Sequence, residues 1–155
     1  MDLAKNLKID SVSRLQPTAP WQVRPDQTVA EAVDLMRLQR VGCVLVCTGQ
    51  KLDGIFTERD LMRRVMAPGQ PLTAPVGQFM TPNPVAVQLK DSISTAVRRM
   101  DEGGHRHLPV VDPAGKPVGV LSAKRIVHYL VEHFPTTVYN LPPNPSTVPQ
   151  EREGA

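Results

Sequence analysis

The chain has 155 residues, 41% of them hydrophobic, which suits one compact domain or two tightly packed halves with a real core. A net charge of +3 and an aromatic content of 4% argue against nucleic-acid binding, because the charge is weak and no stacking platform for single strands exists. No apolar run approaches the ~18–20 residues of a membrane span. The start, Met1 to Lys5, lacks the apolar stretch of a secretory signal, so a cytoplasmic protein is expected.

In chain order, residues 1–10 read as an N-terminal extension. A short lead-in strand follows at Pro20-Trp21-Gln22-Val23. Thr28-Val29-Ala30-Glu31 is a capping box, in which a hydroxyl and a carboxylate satisfy orphan N–H groups, and Val29, Ala32, Val33 and Met36 continue at helical spacing to about Arg40. Val41 to Cys47 is a continuous apolar run, read as a buried strand. Thr48-Gly49-Gln50 makes a turn into a second strand, Leu52 to Phe56. Thr57 then caps a helix running from Glu58 to about Ala67, where Pro68-Gly69 stops it.

The same order recurs. A lead-in strand is expected at Pro84-Val85-Ala86-Val87, and Ser92 caps a helix through Met100 that ends at Gly103-Gly104. Strands follow at Leu108 to Val111 and Val118 to Leu121, with a turn at Asp112–Gly115. Ser122 caps a last helix to about His133, and Pro135 stops it. Val12, Pro20, Val23, Ala32, Val33 and Met36 recur at an offset of 64 as Val76, Pro84, Val87, Ala96, Val97 and Met100. One inserted residue makes the offset 65, so that Val46 recurs as Val111 and Gly54 as Gly119.

One unit has therefore been built twice. Solenoids need three or more repeats to bury their faces, so a pair implies a closed, two-lobed α/β (α+β) domain. Its two β-α-β-β-α units are expected to pack about a pseudo-two-fold axis. The units span 11–67 and 75–134, joined by a linker at 68–74. Residues 135–155, with Pro142, Pro143, Pro145 and Pro149, lack the apolar periodicity to offset chain entropy and read as a disordered or surface-lying tail.

Cys43 and Cys47 lie ~13 Å apart along one strand, too far to bridge, and read as buried free thiols. His105 and His107 lack a third ligand at metal spacing, so no metal is expected. Without a nucleophile–base constellation or a Gly-rich phosphate loop, no catalysis is expected either. Arg63-Arg64 and Arg98-Arg99 read as solvated helix faces. Met36, Met62, Met66 and Met100 read as filler of the core or of a dimer interface.

The unit carrying Gly54-Ile55-Phe56-Thr57-Glu58-Arg59-Asp60 at its strand-to-helix turn resembles the cystathionine-β-synthase (CBS) domain family. The second unit resembles it too, through Met80-Thr81-Pro82-Asn83-Pro84 and His105-Arg106-His107-Leu108-Pro109-Val110-Val111-Asp112. The resemblance covers roughly residues 10–133. It implies a disc-like pair of repeats (a Bateman module) acting as a regulatory sensor. Such a module binds AMP, ADP, ATP or another adenosyl compound, commonly pairs into homodimers, requires no cofactor, and signals here to an unidentified protein effector.

The chemistry of the residues suits such a ligand. The Thr57 hydroxyl and the N–H groups of the helix it starts can bind phosphate oxygens. Asp60, three residues on, can accept hydrogen bonds from both ribose hydroxyls. Val44, Ile55 and Phe56 offer apolar walls for a base. The resemblance adds Pro84 and Val85, whose backbone would read the adenine edge, and Arg106 and His107 for phosphate; Arg59 lies inside the motif as well. Equally, Thr57 and Asp60 could be only a helix cap and a first-turn acid. A second site would comprise Pro20, Trp21, Pro109, Ser122, Lys124 and Arg125. There Arg125 stands where Asp60 stands in the first motif, and arginine cannot accept a hydrogen bond. That site is empty, binds phosphate, or takes a different ligand, and Trp21 covers a base or simply packs. The alternative to a sensor is a ligand-free dimeric scaffold whose Pro-rich tail is a recognition peptide.

Overall fold

Side-chain caps start the helices where their spacing puts them. In the computed structural model, which describes residues 3–133, Thr28 accepts the Glu31 N–H and starts α2 (Val29–Gln39). Ser92 accepts the Thr95 N–H and starts α4 (Ile93–Gly103), and Ser122 accepts the Arg125 N–H as α5 (Ala123–His133) begins. The Thr28 box is only half made, because the Glu31 carboxylate takes the Gln27 side-chain amide instead. The complete box is at Thr57 and Asp60, which open α3 (Glu58–Asp60). That helix widens at once into π-type turns, Leu61–Met66, rather than continuing as the regular helix expected. An N-terminal helix, α1 (Leu3–Ile9), precedes a 3-10 turn at Val12–Leu15, and a second 3-10 turn, Val76–Gln78, opens the second half.

Four strands form one sheet in chain order: β1 (Gln22–Val23), β2 (Cys43–Thr48), β3 (Lys51–Thr57) and β4 (Thr81–Pro82). β1 runs parallel to β2, and the others are antiparallel. β4 comes from the second half of the chain and closes the first half's sheet. In the second sheet β5 (His107–Val111) pairs with β6 (Pro117–Ser122). Val87 bridges parallel to Val110, and Thr18, from the first half, bridges antiparallel to Val120. The two sheets thus have the same plan, related by a pseudo-two-fold axis. This is the fold class read from the sequence, with one change. The strand expected over Pro84 to Val87 shrinks to a single bridge at Val87, while Thr81–Pro82 is the paired segment. Pro84 has no N–H to give a ladder, and the Ala86 carbonyl is taken by Arg99 Nη1 at 2.6 Å.

The cores show how the halves are joined. Val23, Val29, Ala32, Met36, Val44, Val46, Phe56 and Val65 pack with Val76 and Phe79, which precede the second repeat's own strands. Val87, Ile93, Leu108, Val110, Leu121 and Ile126 pack with Val12 and Leu15 from the start of the first. Each repeat's leading turn sits in the other's core. Helix α1 packs on α4, with Leu7 against that second core. A third cluster, Cys43, Leu45, Cys47, Ile55 and Val120, lies between the sheets, and both cysteines are free and buried. The arginine pairs are not simply solvated. Arg64 Nη1 donates to the Phe79 and Met80 carbonyls at 3.2 and 2.8 Å, as Arg99 does to Ala86, so each clamps its helix to a lead-in segment. The Pro-rich segment 135–155, expected as a tail, lies outside the described residues.

Candidate ligand-binding cleft

Where β3 hands over to α3, the first N–H groups of the helix, the Thr57 hydroxyl and the Asp60 carboxylate meet at the seam between the repeats. The matching turn, β6 into α5, lies across the seam. The space between is a cleft with two lobes, of about 380 Å³ and 580 Å³, that share Gly42, Glu58, Arg106 and His107 in their walls. Gly42 permits this arrangement. A Cβ there would lie 3.2 Å from His107 Nε2 and 3.6 Å from the Glu58 carboxyl carbon. The residue without a side chain therefore lets histidine and glutamate from opposite repeats draw close.

Lobe one is built around Asp60, which is 7% exposed. Its Oδ2 accepts the Thr57 N–H at 3.0 Å and the Thr57 hydroxyl at 3.1 Å. Thr57 Oγ1 in turn accepts the Asp60 N–H at 3.2 Å. Oδ1 accepts the Thr81 hydroxyl at 3.3 Å and lies 3.6 Å from Arg64 Nε. The carboxylate is held from both sides: Oδ2 belongs to the cap, and Oδ1 is the edge at which a further donor could exchange with Thr81 or Arg64. Arg59, Arg63, Arg64 and Arg106 line the same lobe, against Asp60 and Glu58. Arg59 Nη1 reaches the Gly104 carbonyl at 3.4 Å, across the cleft.

Ile55, Thr57, Arg59, Asp60, Pro84, Val85, Arg106 and His107, all singled out from the sequence, are brought together here. Val44 and Phe56 are not. They face one another across β2 and β3, are fully buried, and belong to the first core. Side chains alternate between the faces of a strand, so Ile55 points to the cleft and its neighbour Phe56 away from it. Sequence reasoning missed the Gly103-Gly104-His105 wall, although a Gly pair at a helix end just before Arg106 marked a close backbone approach. It also missed Glu58, which sits inside the motif and lines both lobes.

Lobe two receives Trp21, Ser122 and Lys124, as expected for a second site. Pro20, Pro109 and Arg125 do not line it. Pro109 is buried in β5 with its carbonyl accepting the Val87 N–H, and Arg125 contributes its N–H to the Ser122 cap. Arg40, Val41, Cys43 and Val127 also line it, with Thr18, Ala19, Val120 and Ala123, and none of these was foreseen.

The electrostatics follow from burial at the seam. Desolvation lowers the His107 pKa below its ordinary 6.5; Glu58 opposes this and Arg106 reinforces it. Burial, aided by the Glu58 charge, pushes the Cys43 thiol up to about 12, and burial with Asp53 pushes Cys47 up to about 11. Among the described residues, no three His, Cys, Asp or Glu side chains group closely enough to hold a metal ion, and no helix is long and apolar enough to cross a membrane.

Two β-α-β-β-α repeats with exchanged leading turns, closing over a two-lobed cleft, define a paired-repeat module. The chain matches the CBS domain family over residues 12–67 and 76–132, and it belongs to that family. It is 36% identical over 107 residues to the CBS domain-containing protein CBSCBSPB3 of Arabidopsis thaliana, an alignment that takes in 68% of this chain but 19% of that protein. The chain thus spans about a fifth of that relative's length. Among solved structures it is similar to a CBS-domain-containing protein from Agrobacterium tumefaciens, with 30% identity and a TM-score of 0.70 over 77% of this chain and 98% of that one. It is also similar to CBSX2 in complex with AMP, with 25% identity and a TM-score of 0.67 over 79% and 97% of the two chains.

Proposed function

We propose that this protein is a non-catalytic regulatory module that binds an adenosine-containing ligand, such as AMP, ADP or ATP, in lobe one. The observation that carries the reading is the Thr57–Asp60 box opening into a lobe lined by four arginines. The Oδ1 edge of Asp60 receives the ribose hydroxyls in exchange for Thr81 and Arg64. Arg59, Arg63 and Arg106 receive the phosphates, and Ile55, Pro84 and Val85 flank the base. Similarity to a protein solved with AMP supports an adenosine-type ligand. Because the lobe is walled by both repeats, the ligand favours whichever relative arrangement it fits better, and it shifts the population by its difference in affinity. In this reading the module works in the cytoplasm as a homodimer, paired through helices that leave Met62, Met66 and Val127 exposed, and a protein effector reads the shift.

Calorimetric titration with AMP, ADP, ATP and S-adenosylmethionine tests the assignment. Removing one hydrogen-bonded charge costs about 1.5–3 kcal/mol, so Asp60→Ala should weaken binding by about 10- to 100-fold. Unchanged affinity removes Asp60 from the site. The network that already satisfies Asp60 favours the rival reading, a ligand-free dimeric scaffold, and no heat with any of the four ligands at millimolar concentration would favour it further.

A further inference from the structure

We propose that lobe two is a separate binding site for a flat aromatic anion, one bearing a carboxylate or phosphate, whose recognition uses no vicinal diol. The repeat register sets the two lobes apart. At the position of Asp60 the second motif has Arg125, and at the position of its hydroxyl partner Thr81 the first half has Pro17. Lobe two therefore lacks the counterparts of both Asp60 and its hydroxyl partner Thr81, and the one carboxylate in its wall, Glu58, is shared with lobe one and faced by Arg40, Lys124 and Arg106. Arginine cannot replace a carboxylate acceptor, and Arg125 does not line the cavity in any case.

Two features take the place of that acceptor. Arg40, Lys124 and Arg106 face the cavity against the carboxylate of Glu58, an excess of positive charge that selects an anion. The apolar wall includes the ring of Trp21, which is 38% exposed. Its backbone is fixed on both sides, the N–H donating to Ala19 and the carbonyl accepting from Leu45, each at 2.9 Å. A large aromatic surface on an anchored backbone beside lysine and arginine suits a planar ring that stacks while its charged substituent is paired.

Trp21 is the only tryptophan of the chain, so its fluorescence reports this lobe alone. The full-length protein carrying Asp60→Ala, in which lobe one has lost its ribose acceptor, is titrated at constant ionic strength with phenyl phosphate, benzoate, benzyl alcohol and inorganic phosphate. Phenyl phosphate or benzoate should quench Trp21 saturably, and the stronger of the two identifies the anionic group preferred. Adding the exposed change Lys124→Gln should raise that midpoint by about three- to tenfold. The proposal is overturned if neither aromatic anion gives saturable quenching up to about 10 mM. It is also overturned if benzyl alcohol or inorganic phosphate reproduces the signal, or if Lys124→Gln leaves the midpoint unchanged. Failure of the adenosine reading shows instead in calorimetry on the unmodified protein, so the two outcomes are distinct.

Discussion

Replacing Gly54 by alanine should damage the fold and the cleft together. Gly54 pairs with Pro82 across the β3–β4 junction, the place where the second half of the chain is laid on the first half's sheet. A Cβ on Gly54 would lie 2.5 Å from Met80 Sδ and 2.7 Å from the Thr81 carbonyl oxygen, closer than real Cβ contacts come. Met80 can turn aside, but the Thr81 oxygen is backbone, so β4 itself must move. That movement strains the Asn83 N–H bond to the Asp53 carbonyl, the Arg64 bond to Met80, and the Thr81 hydroxyl bond to Asp60. Overpacking of this kind costs about 1–3 kcal/mol. For a chain of this size the melting temperature should fall by roughly 2–12 °C. Thermal unfolding followed by circular dichroism measures the first effect, and AMP titration at a temperature where the variant is folded measures the second. A melting point within about 1 °C of the parent, together with unaltered AMP affinity, would refute the claim that this contact fixes the lead-in segment against lobe one.

Other consequences can be measured in the same way. Phe56→Ala should cost about 3–5 kcal/mol in chemical denaturation, the range for emptying a core aromatic site, and a loss under about 1 kcal/mol would mean that Phe56 is not the core residue its burial indicates. His107 is held below 6.5, so at acid pH the unfolded chain binds more protons than the folded one. Stability from this group is therefore present above 6.5 and declines as pH falls below it. His107→Gln should flatten the difference between unfolding curves taken at about pH 7.5 and pH 5.5, and an equal pH dependence in parent and variant would exclude His107 as its source. With pKa values of about 12 and 11 and both side chains buried, Cys43 and Cys47 should resist a disulfide reagent at about pH 8 until guanidinium is added; fast labelling of the folded protein would contradict their burial.

Much of this was legible because the signals are local. Thr28, Thr57, Ser92 and Ser122 cap helices because a short hydroxyl residue serves N–H groups two or three positions on, which needs no tertiary partner. The duplication was legible because equivalent core positions demand the same side chains. Val44 and Phe56 were misplaced because every residue of β2 from Cys43 to Cys47 is buried. With both faces of the sheet covered, hydrophobicity no longer tells which side of a strand meets the cleft and which meets the helices. Arg64 and Arg99 could not be read at all, since each finds its carbonyl partners 13 to 16 residues away, across a turn whose shape depends on the assembled halves. The Glu58–His107 approach over Gly42 joins three stretches of chain and is likewise a property of the closed structure.

The traded turns make the two halves hostages of each other. Val76 and Phe79 fill the first half's interior, and Val12 and Leu15 fill the second's, so a chain cut at the linker yields two fragments that each lack part of their filling. Neither fragment should hold a tight native interior alone, and mixing them should restore one, since each carries the missing piece of the other. What duplication wrote as a tandem is, in physical terms, a single cooperative body, and the cleft between its repeats cannot persist in half a molecule.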